Sequence, residues 1–555
     1  MKQHLQQYLR SLNPVGVAMG AVLLALSLTP SLLPRPAVLQ GVGSGIVFGV
    51  GYLIGVALAV LGARLTRWRP PQEWLHWLRL VGWPLYGAVL IAAMIGGVAA
   101  QNEVRRLVEL PPQDNVNILG FVVALAVASL ASLGLGRLVR SAWRRTLRRM
   151  VEGGRTPAVA LKLASLRAAA ASVLILALLG IGFFGLLNVA YRGINGQPAG
   201  GVVAPGAAER SGGPGSEVTF EELGRQGGDF VTGGPTADEI SALTGEPAMT
   251  PVRVYVGVGA GGTLADRVAT AVRELVRTGG FEREVLVVAA TTGSGWVEPQ
   301  GVDSVEYLHS GDTATVALQY AYTPSFVSAV TAPELTVEAA SALFTGVRGH
   351  WLTLPEEERP KLVVYGLSLG AQGLMNAFGS VDALAERTQG ALLVGPTYAT
   401  PLWQELQATR DAGSPPWQPV LDGGQRVRWA SQSGDFDTLE GDWSEPRVAI
   451  LQHATDPITW LGPELIWQRP EWLTEGGRAP DVSPHMRWIP VVTAVQVFLD
   501  MLVSVDVPAR HGHAFGDVMI DGWVAVTGDG GLDEATIAEI RAVIEDYWVI
   551  KPVNV

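Results

Sequence analysis

Five apolar stretches fall within the first 190 residues, near Val15–Leu33, Val42–Leu61, Val81–Ala100, Ile118–Leu135 and Ala168–Ala190. Each approaches the roughly 20 residues that a helix needs to cross a bilayer. Buried helices of a soluble domain are the competing explanation. Five in a row, separated by arginine-rich or short polar loops, argue for crossings instead. The second loop carries Arg64, Arg67, Arg69 and Arg79, and the fourth runs from Arg137 to Arg167 with nine basic residues. The first has Arg35 alone, and the third sets Arg105 and Arg106 beside three acids. Basic loops stay cytoplasmic. The pattern therefore predicts a multi-pass protein of the cell membrane with a cytoplasmic amino terminus and everything after Tyr191 on the outer side. Lys2, Arg10 and the first apolar run also fit a signal peptide, but no small-residue cleavage site follows.

Charge divides the chain in the same place. Residues 1–192 hold 19 Lys/Arg and 5 Asp/Glu, a formal +14, and the remainder carries a formal −25. Two regions in different surroundings follow: a helical bundle over 1–192 and an acidic globular region over 217–555. The acidic region argues against nucleic acid as a partner, because that binding requires concentrated positive charge. The absence of cysteine removes disulfides and thiolate metal sites. Within the bundle, Gly41, Gly45 and Gly49 recur every four residues, the spacing that lets helices approach closely. The basic segment 137–154 fits a helix on an anionic inner leaflet, although its loop charge alone explains it.

Residues 193–216 are rich in Gly, Pro and Ala without periodicity, which reads as a flexible linker. Beyond them strand and helix patterns alternate. Strands are expected at "VRVYVGV", "EVLVVAA", "TATVALQYAY", "KLVVYGL", "GALLVG" and "RVAILQ". Helices are expected at Leu264–Arg277, Val302–His309, Leu335–Leu354 and after residue 370. This alternation predicts a doubly wound, mostly parallel sheet.

"GLSLG" at 366–370 places Ser368 between strand and helix in a G-x-S-x-G frame, the signature of a nucleophile elbow. A nucleophilic serine needs a base, and the base needs a carboxylate to fix its tautomer. Asp456 follows the strand "RVAILQ" at an Asp-Pro turn, and His511 and His513 lie near the chain end in "RHGHAFG". His513 is the favoured base, with His511 as its alternative. Asp435, Asp437 and Asp442 are rival acids that precede the strand, and His309 and His453 read as structural. Backbone N–H groups of Leu369, Gly293 and Ser294 are the expected oxyanion-hole donors. A plain Gly/Ser turn remains the alternative at each loop. No metal site is expected: the HGH pair has no carboxylate-rich companion. No cofactor is expected either. Gly257, Gly259 and Gly262 match G-x-G-x-x-G, but the next strand ends without the acid that a dinucleotide needs.

These motifs, with "LSLTPSLLPRP" (26–36), "TTGSGW" (291–296), "LQYAYTPS" (318–325), "VGPTYATPLW" (394–403) and "HATDPITW" (453–460), resemble the two-part membrane α/β-hydrolase family. The resemblance covers nearly the whole chain and implies a helical membrane domain followed by a serine α/β-hydrolase. Arg510 stands where that family often has the first glycine of Gly-His-Gly-His, which keeps the choice of histidine open.

Two segments interrupt the strand pattern, 396–446 and 457–510, and are expected to act as lids. They hold eight tryptophans, from Trp403 to Trp488, that suit an acyl substrate or a bilayer surface as well as plain core packing. The sequence thus predicts a serine hydrolase anchored in the lipid bilayer and acting on ester or acyl-lipid substrates. An acyltransferase with the same triad and a non-catalytic membrane protein are the alternatives.

Overall fold

The computed structural model describes residues 11–66 and 71–550. The expected basic positions Lys2, Arg10, Arg67 and Arg69 lie outside the described residues. Two compact units divide the chain: residues 1–182 with 461–474 and 480–503, and residues 183–460 with 475–479 and 504–555.

The first unit is helical: α1 Pro14–Leu26, α2 Ala37–Thr66, α3 Gln72–Leu107 and α4 Ile118–Glu152, with most of α5 Pro157–Asn195. Among the described residues, α2 to α5 are long and apolar enough to cross a membrane. The first expected crossing differs. Its helix is 13 residues, about 20 Å long, and short of a hydrocarbon core of about 30 Å. Ser27 ends it and Pro30, Pro34 and Pro36 prevent its continuation. The glycine ladder of α2 packs on α4, where a Cβ at Gly45 would lie 2.6 Å from Ala128 Cβ.

The second unit is built on seven parallel strands: β1 Val252–Val256, β2 Val285–Ala290, β3 Thr313–Leu318, β4 Lys361–Leu367, β5 Gly390–Val394, β6 Val427–Ala430 and β7 Arg447–Leu451. Their order is β1-β3-β2-β4-β5-β7-β6. Nearly every strand residue is buried, as a sheet covered on both faces requires. The principal helices are α6 Gly224–Thr232, α7 Leu264–Arg277, α8 Pro299–Leu308, α9 Pro333–Trp351, α10 Leu369–Phe378, α11 Val492–Met501, α12 Val518–Thr527 and α13 Glu534–Ile550; α11 belongs to the helical unit.

Three boundaries depart from the expectation. Residues 193–216 are folded against the sheet edge rather than forming a loose tether. Arg210 bridges Arg253 of β1 in parallel, and its guanidinium donates to the carbonyls of Val231 and Gly233. Segment 396–446 supplies β6, so it is part of the sheet and not a lid alone. Most of segment 457–510 groups with the helical unit. The Gly257–Gly262 loop has a packing explanation, since a Cβ at Gly257 would lie 2.1 Å from the Glu222 carbonyl.

Glu274 of α7 anchors the folded 209–217 segment. Its buried carboxylate accepts from Ser211 and Ser216 Oγ (2.9 Å each), the Glu217 N–H (2.8 Å) and the Arg277 guanidinium. Burial pushes its pKa up, but these donors outweigh burial and hold it below the ordinary value. A depressed carboxylate stabilises the fold above its unfolded pKa and loses that contribution as pH falls through the folded one. Glu274→Gln is therefore expected to cost about 2 kcal/mol at pH 7. Thermal unfolding of the full chain should show the gap to wild type narrowing below about pH 4; a pH-independent gap contradicts the assignment.

Candidate active site

The strand order fixes where a site can form. From β2 the chain crosses to β3 on one side, and from β4 it crosses to β5 on the other. The connections diverge at the β2/β4 pair and open a crevice outside the carboxyl ends of those strands. Register pairs Ala290 with Gly366. The loop from Thr291 therefore starts one strand away from the elbow and one residue short of Ser368.

At the elbow, Ser368 sits at φ 55°, ψ −115°, a region that L-residues rarely adopt. Close packing imposes it. A Cβ at Gly366 would lie 2.5 Å from the Gly370 carbonyl carbon, and one at Gly370 would lie 2.1 Å from the Ala290 carbonyl oxygen. The Ser368 N–H donates to the Val394 carbonyl (2.8 Å), and Leu369 opens α10, where first-turn N–H groups have no helical acceptor.

The carboxyl ends of β5 and β7 continue the arrangement. Gly395 donates to the Leu451 carbonyl, and five residues later Asp456 turns out of β7. Its Oδ2 receives His513 Nδ1 at 2.6 Å, while Oδ1 accepts the Ile458 N–H at 2.9 Å. Both groups are buried. The His513 ring lies over Gly395, where an added Cβ would sit 2.6 Å from Cε1. Its Nε2 is buried and has no hydrogen-bond partner. In this structure the ring is thus held at Nδ1, and Nε2 is not bonded to Ser368 Oγ; such bonds are often long in unliganded enzymes.

Backbone contacts hold the histidine loop. The His513 N–H donates to the Ser504 carbonyl (2.7 Å), and the Gly512 N–H donates to Thr455 Oγ1 (2.9 Å). His453 Nδ1 lies 2.9 Å from the Gly512 carbonyl and its ring stacks on Phe515 at 4.3 Å. Arg510 has φ +72°, a conformation suited to glycine, and its guanidinium pairs with Asp517 at 2.8 Å. His511, the alternative base, is buried and bridges Ala514 through its backbone. The Asp456 contact thus favours His513.

The expected oxyanion donors differ among themselves. Leu369 sits at the helix start, whereas the Gly293 N–H donates to Ser325 Oγ at 3.2 Å. The Ser294 carbonyl accepts from Gln319 Nε2 (2.8 Å), which fixes the loop. Of the rival acids, Asp435 caps the N–H groups of Ser431 and Gln432; His309, expected to be structural, bonds Thr527 Oγ1. Leu367, Trp296, His513 and Phe515 line a cavity of about 590 Å³, with Arg225 and Gln300 also on its wall. Among the described residues no cluster of His, Asp or Glu has the arrangement of a metal site. The supporting residues Thr455, Gly395 and the Ser504 carbonyl escaped the reading of spacing, whereas Phe515 is visible as part of the aromatic-Gly pair that follows His513. Thr455 and Gly395 lie inside the "HATDPITW" and "VGPTYATPLW" motifs, which are their only sequence signal.

The alpha/beta-hydrolase family matches residues 252–540, and the amino-terminal region of that family matches residues 28–235. The chain belongs to this alpha/beta-hydrolase family. No curated protein and no solved structure matches it. Membership accounts for the parallel sheet and for a hydrolase-like framework around the elbow.

The packing at the elbow makes a contrast testable. Gly370→Ala forces a side chain into a backbone carbonyl and is expected to cost about 3 kcal/mol. Gly349→Ala, in α9 with open space around the added methyl, is expected to stabilise by about 0.5–1 kcal/mol. Thermal or denaturant unfolding of both variants checks this; equal effects contradict the close approach.

Proposed function

We propose that this protein is a membrane-anchored serine hydrolase that cleaves carboxylic esters of lipid-like or acyl substrates. The observation that carries the reading is the His513–Asp456 contact at 2.6 Å, with Nε2 left unpartnered and both the ring and the strained Ser368 meeting the Val394–Gly395 end of β5. His513 Nε2 takes the Ser368 proton as Oγ attacks the ester carbonyl. Asp456 holds the Nδ1–H tautomer and stabilises the imidazolium. The Leu369 N–H and a second donor from the 293–294 loop receive the developing oxyanion, each contributing about 3 kcal/mol. Use of Gly293 requires exchange of its Ser325 partner. His513 then protonates the leaving alcohol, and water repeats the sequence on the acyl-enzyme.

Membrane anchoring rests on α2–α5 and on the loop charges. Basic residues cluster at the end of α2 (Arg64) and at the facing ends of α4 and α5 (Arg137, Arg140, Arg144, Arg145, Arg148, Arg149, Arg155, Lys162 and Arg167), which supports a cytoplasmic position for both. α5 then runs outward and delivers the hydrolase region to the outer side. This inference does not depend on α1. The expected cytoplasmic amino terminus does, because it requires the first stretch to cross.

Fluorophosphonate labelling of the full chain tests the chemistry. Wild type should label at one site, Ser368→Ala should not label, and Asp456→Asn should slow labelling by up to about 10⁴-fold with its fold intact. No labelling of folded wild type, or equal labelling of Ser368→Ala, removes the proposal.

A further inference from the structure

The segment between Asp456 and His513 contributes an apolar helix, α11, whose only polar side chains beyond its first turn are Gln496 and Asp500. Both face inward within the helical unit. Asp500 is fully buried and accepts from Ser31 Oγ and the Leu32 N–H, each at 3.1 Å, with Arg35 Nε at 3.5 Å. Gln496 Nε2 donates to the carbonyls of Ser27 and Thr29, and Arg35 Nη1 donates to the Gln496 carbonyl. The polar groups of α11 are thus engaged by the Ser27–Arg35 segment.

Its outward side is apolar. Phe498 and Leu502, four residues apart and on one face, are 49% and 48% exposed. Ile466 and Trp467 are 44% and 62% exposed. They are tied to the start of α11 by the Val491 N–H donating to the Ile466 carbonyl and by Trp488 Nε1 donating to the Leu465 carbonyl. A tryptophan and three large aliphatic or aromatic side chains face outward, the polar groups of α11 turn in, and Gln468 and Arg469 are exposed next to Trp467, a mixture suited to the lipid–water boundary.

Depth supports the same occupant. Helix α2 has 30 residues, about 45 Å, and extends roughly 7 Å past each side of a 30 Å core. Leu499 and Val495 pack against Gly43, six residues into α2 and so about 9 Å from its start. That depth is the boundary between headgroups and hydrocarbon, where tryptophan concentrates. The loop charges assign this end of α2 to the outer side.

We propose that residues 461–474 and 480–503 form an interfacial membrane element, in which Ile466, Trp467, Phe498 and Leu502 contact bilayer lipid. The inference rests on the reading that α2–α5 span a membrane.

The native chain has no cysteine, so single spin labels report unambiguously. Four variants of the full chain, F498C, W467C, L179C and D529C, would be labelled and placed in phosphatidylcholine vesicles. Power saturation then compares accessibility to oxygen and to a water-soluble nickel chelate. Leu179, outward on α5, marks the bilayer, and exposed Asp529 marks water. F498C and W467C are expected to favour oxygen as L179C does, at shallower depth. Water-like behaviour at both, with L179C in lipid, overturns the proposal; so does spin–spin broadening at 498, which indicates a second copy on this face. A water-like L179C instead removes the spanning helices, and the proposal with them. Using two labelled positions guards against one substitution that fails to fold.

Discussion

The first turn of α10 and the end of β2 meet so closely that residue 370 has no space for a side chain beside the Ala290 carbonyl. That contact turns the chain sharply after β4 and holds Ser368 in a backbone region that a relaxed turn would avoid. It also sets the loop after β2 beside the helix start, where unpaired N–H groups collect. The parallel order of the strands makes the contact possible, since β2 and β4 are neighbours although β3 lies between them in sequence. The carboxyl ends of β4, β5 and β7 then supply, in spatial order, the serine, the glycine under the imidazole and the carboxylate.

The histidine reaches this rim from a loop, and loops are held by polar contacts more than by packing. Here the contacts come from several directions: Thr455 on Gly512, the Ser504 carbonyl on the His513 N–H, and Asp517 on Arg510. The left-handed conformation at Arg510 costs about 1 kcal/mol or more, and its ion pair with Asp517 offsets part of that. A different economy governs the helical unit, where Arg35 and Asp500 are both wholly buried. Such a pair adds little net stability, because desolvation consumes most of the attraction. Breaking it by removing one partner would leave an uncompensated buried charge. It therefore acts as a constraint on how α11 docks.

The sequence made the strand-to-helix turn at Ser368, the candidates Asp456 and His513 that the structure brings into contact, and most of the alternating elements legible. Strong local signals account for this: α7 occupies the expected Leu264–Arg277, set by an amphipathic pattern and a Thr263–Asp266 capping box. Strand β6 was missed because Val427–Ala430 is a four-residue edge strand containing Arg428, with neither length nor clean alternation. The 193–216 stretch misled because its composition favours flexibility, while Arg210 and Ser211 find distant partners that no local pattern reveals. The first apolar stretch was read by hydropathy alone. Its prolines and its buried polar residues Ser27, Ser31 and Arg35 mark a folded segment packed within the unit rather than a full crossing. The partition of segment 457–510 between two units was not legible at all, because it depends on contacts separated by more than 450 residues.

The central claim is that Ser368 forms a covalent acyl-enzyme when it meets an activated ester. Rapid acid quenching of the full chain with such an ester, followed by peptide mass mapping, tests it most directly. The account predicts an acyl mass on the peptide that contains Ser368, which decays as free acid appears. Turnover of the ester with no adduct on that peptide under burst conditions, or an adduct confined to another residue, would contradict it.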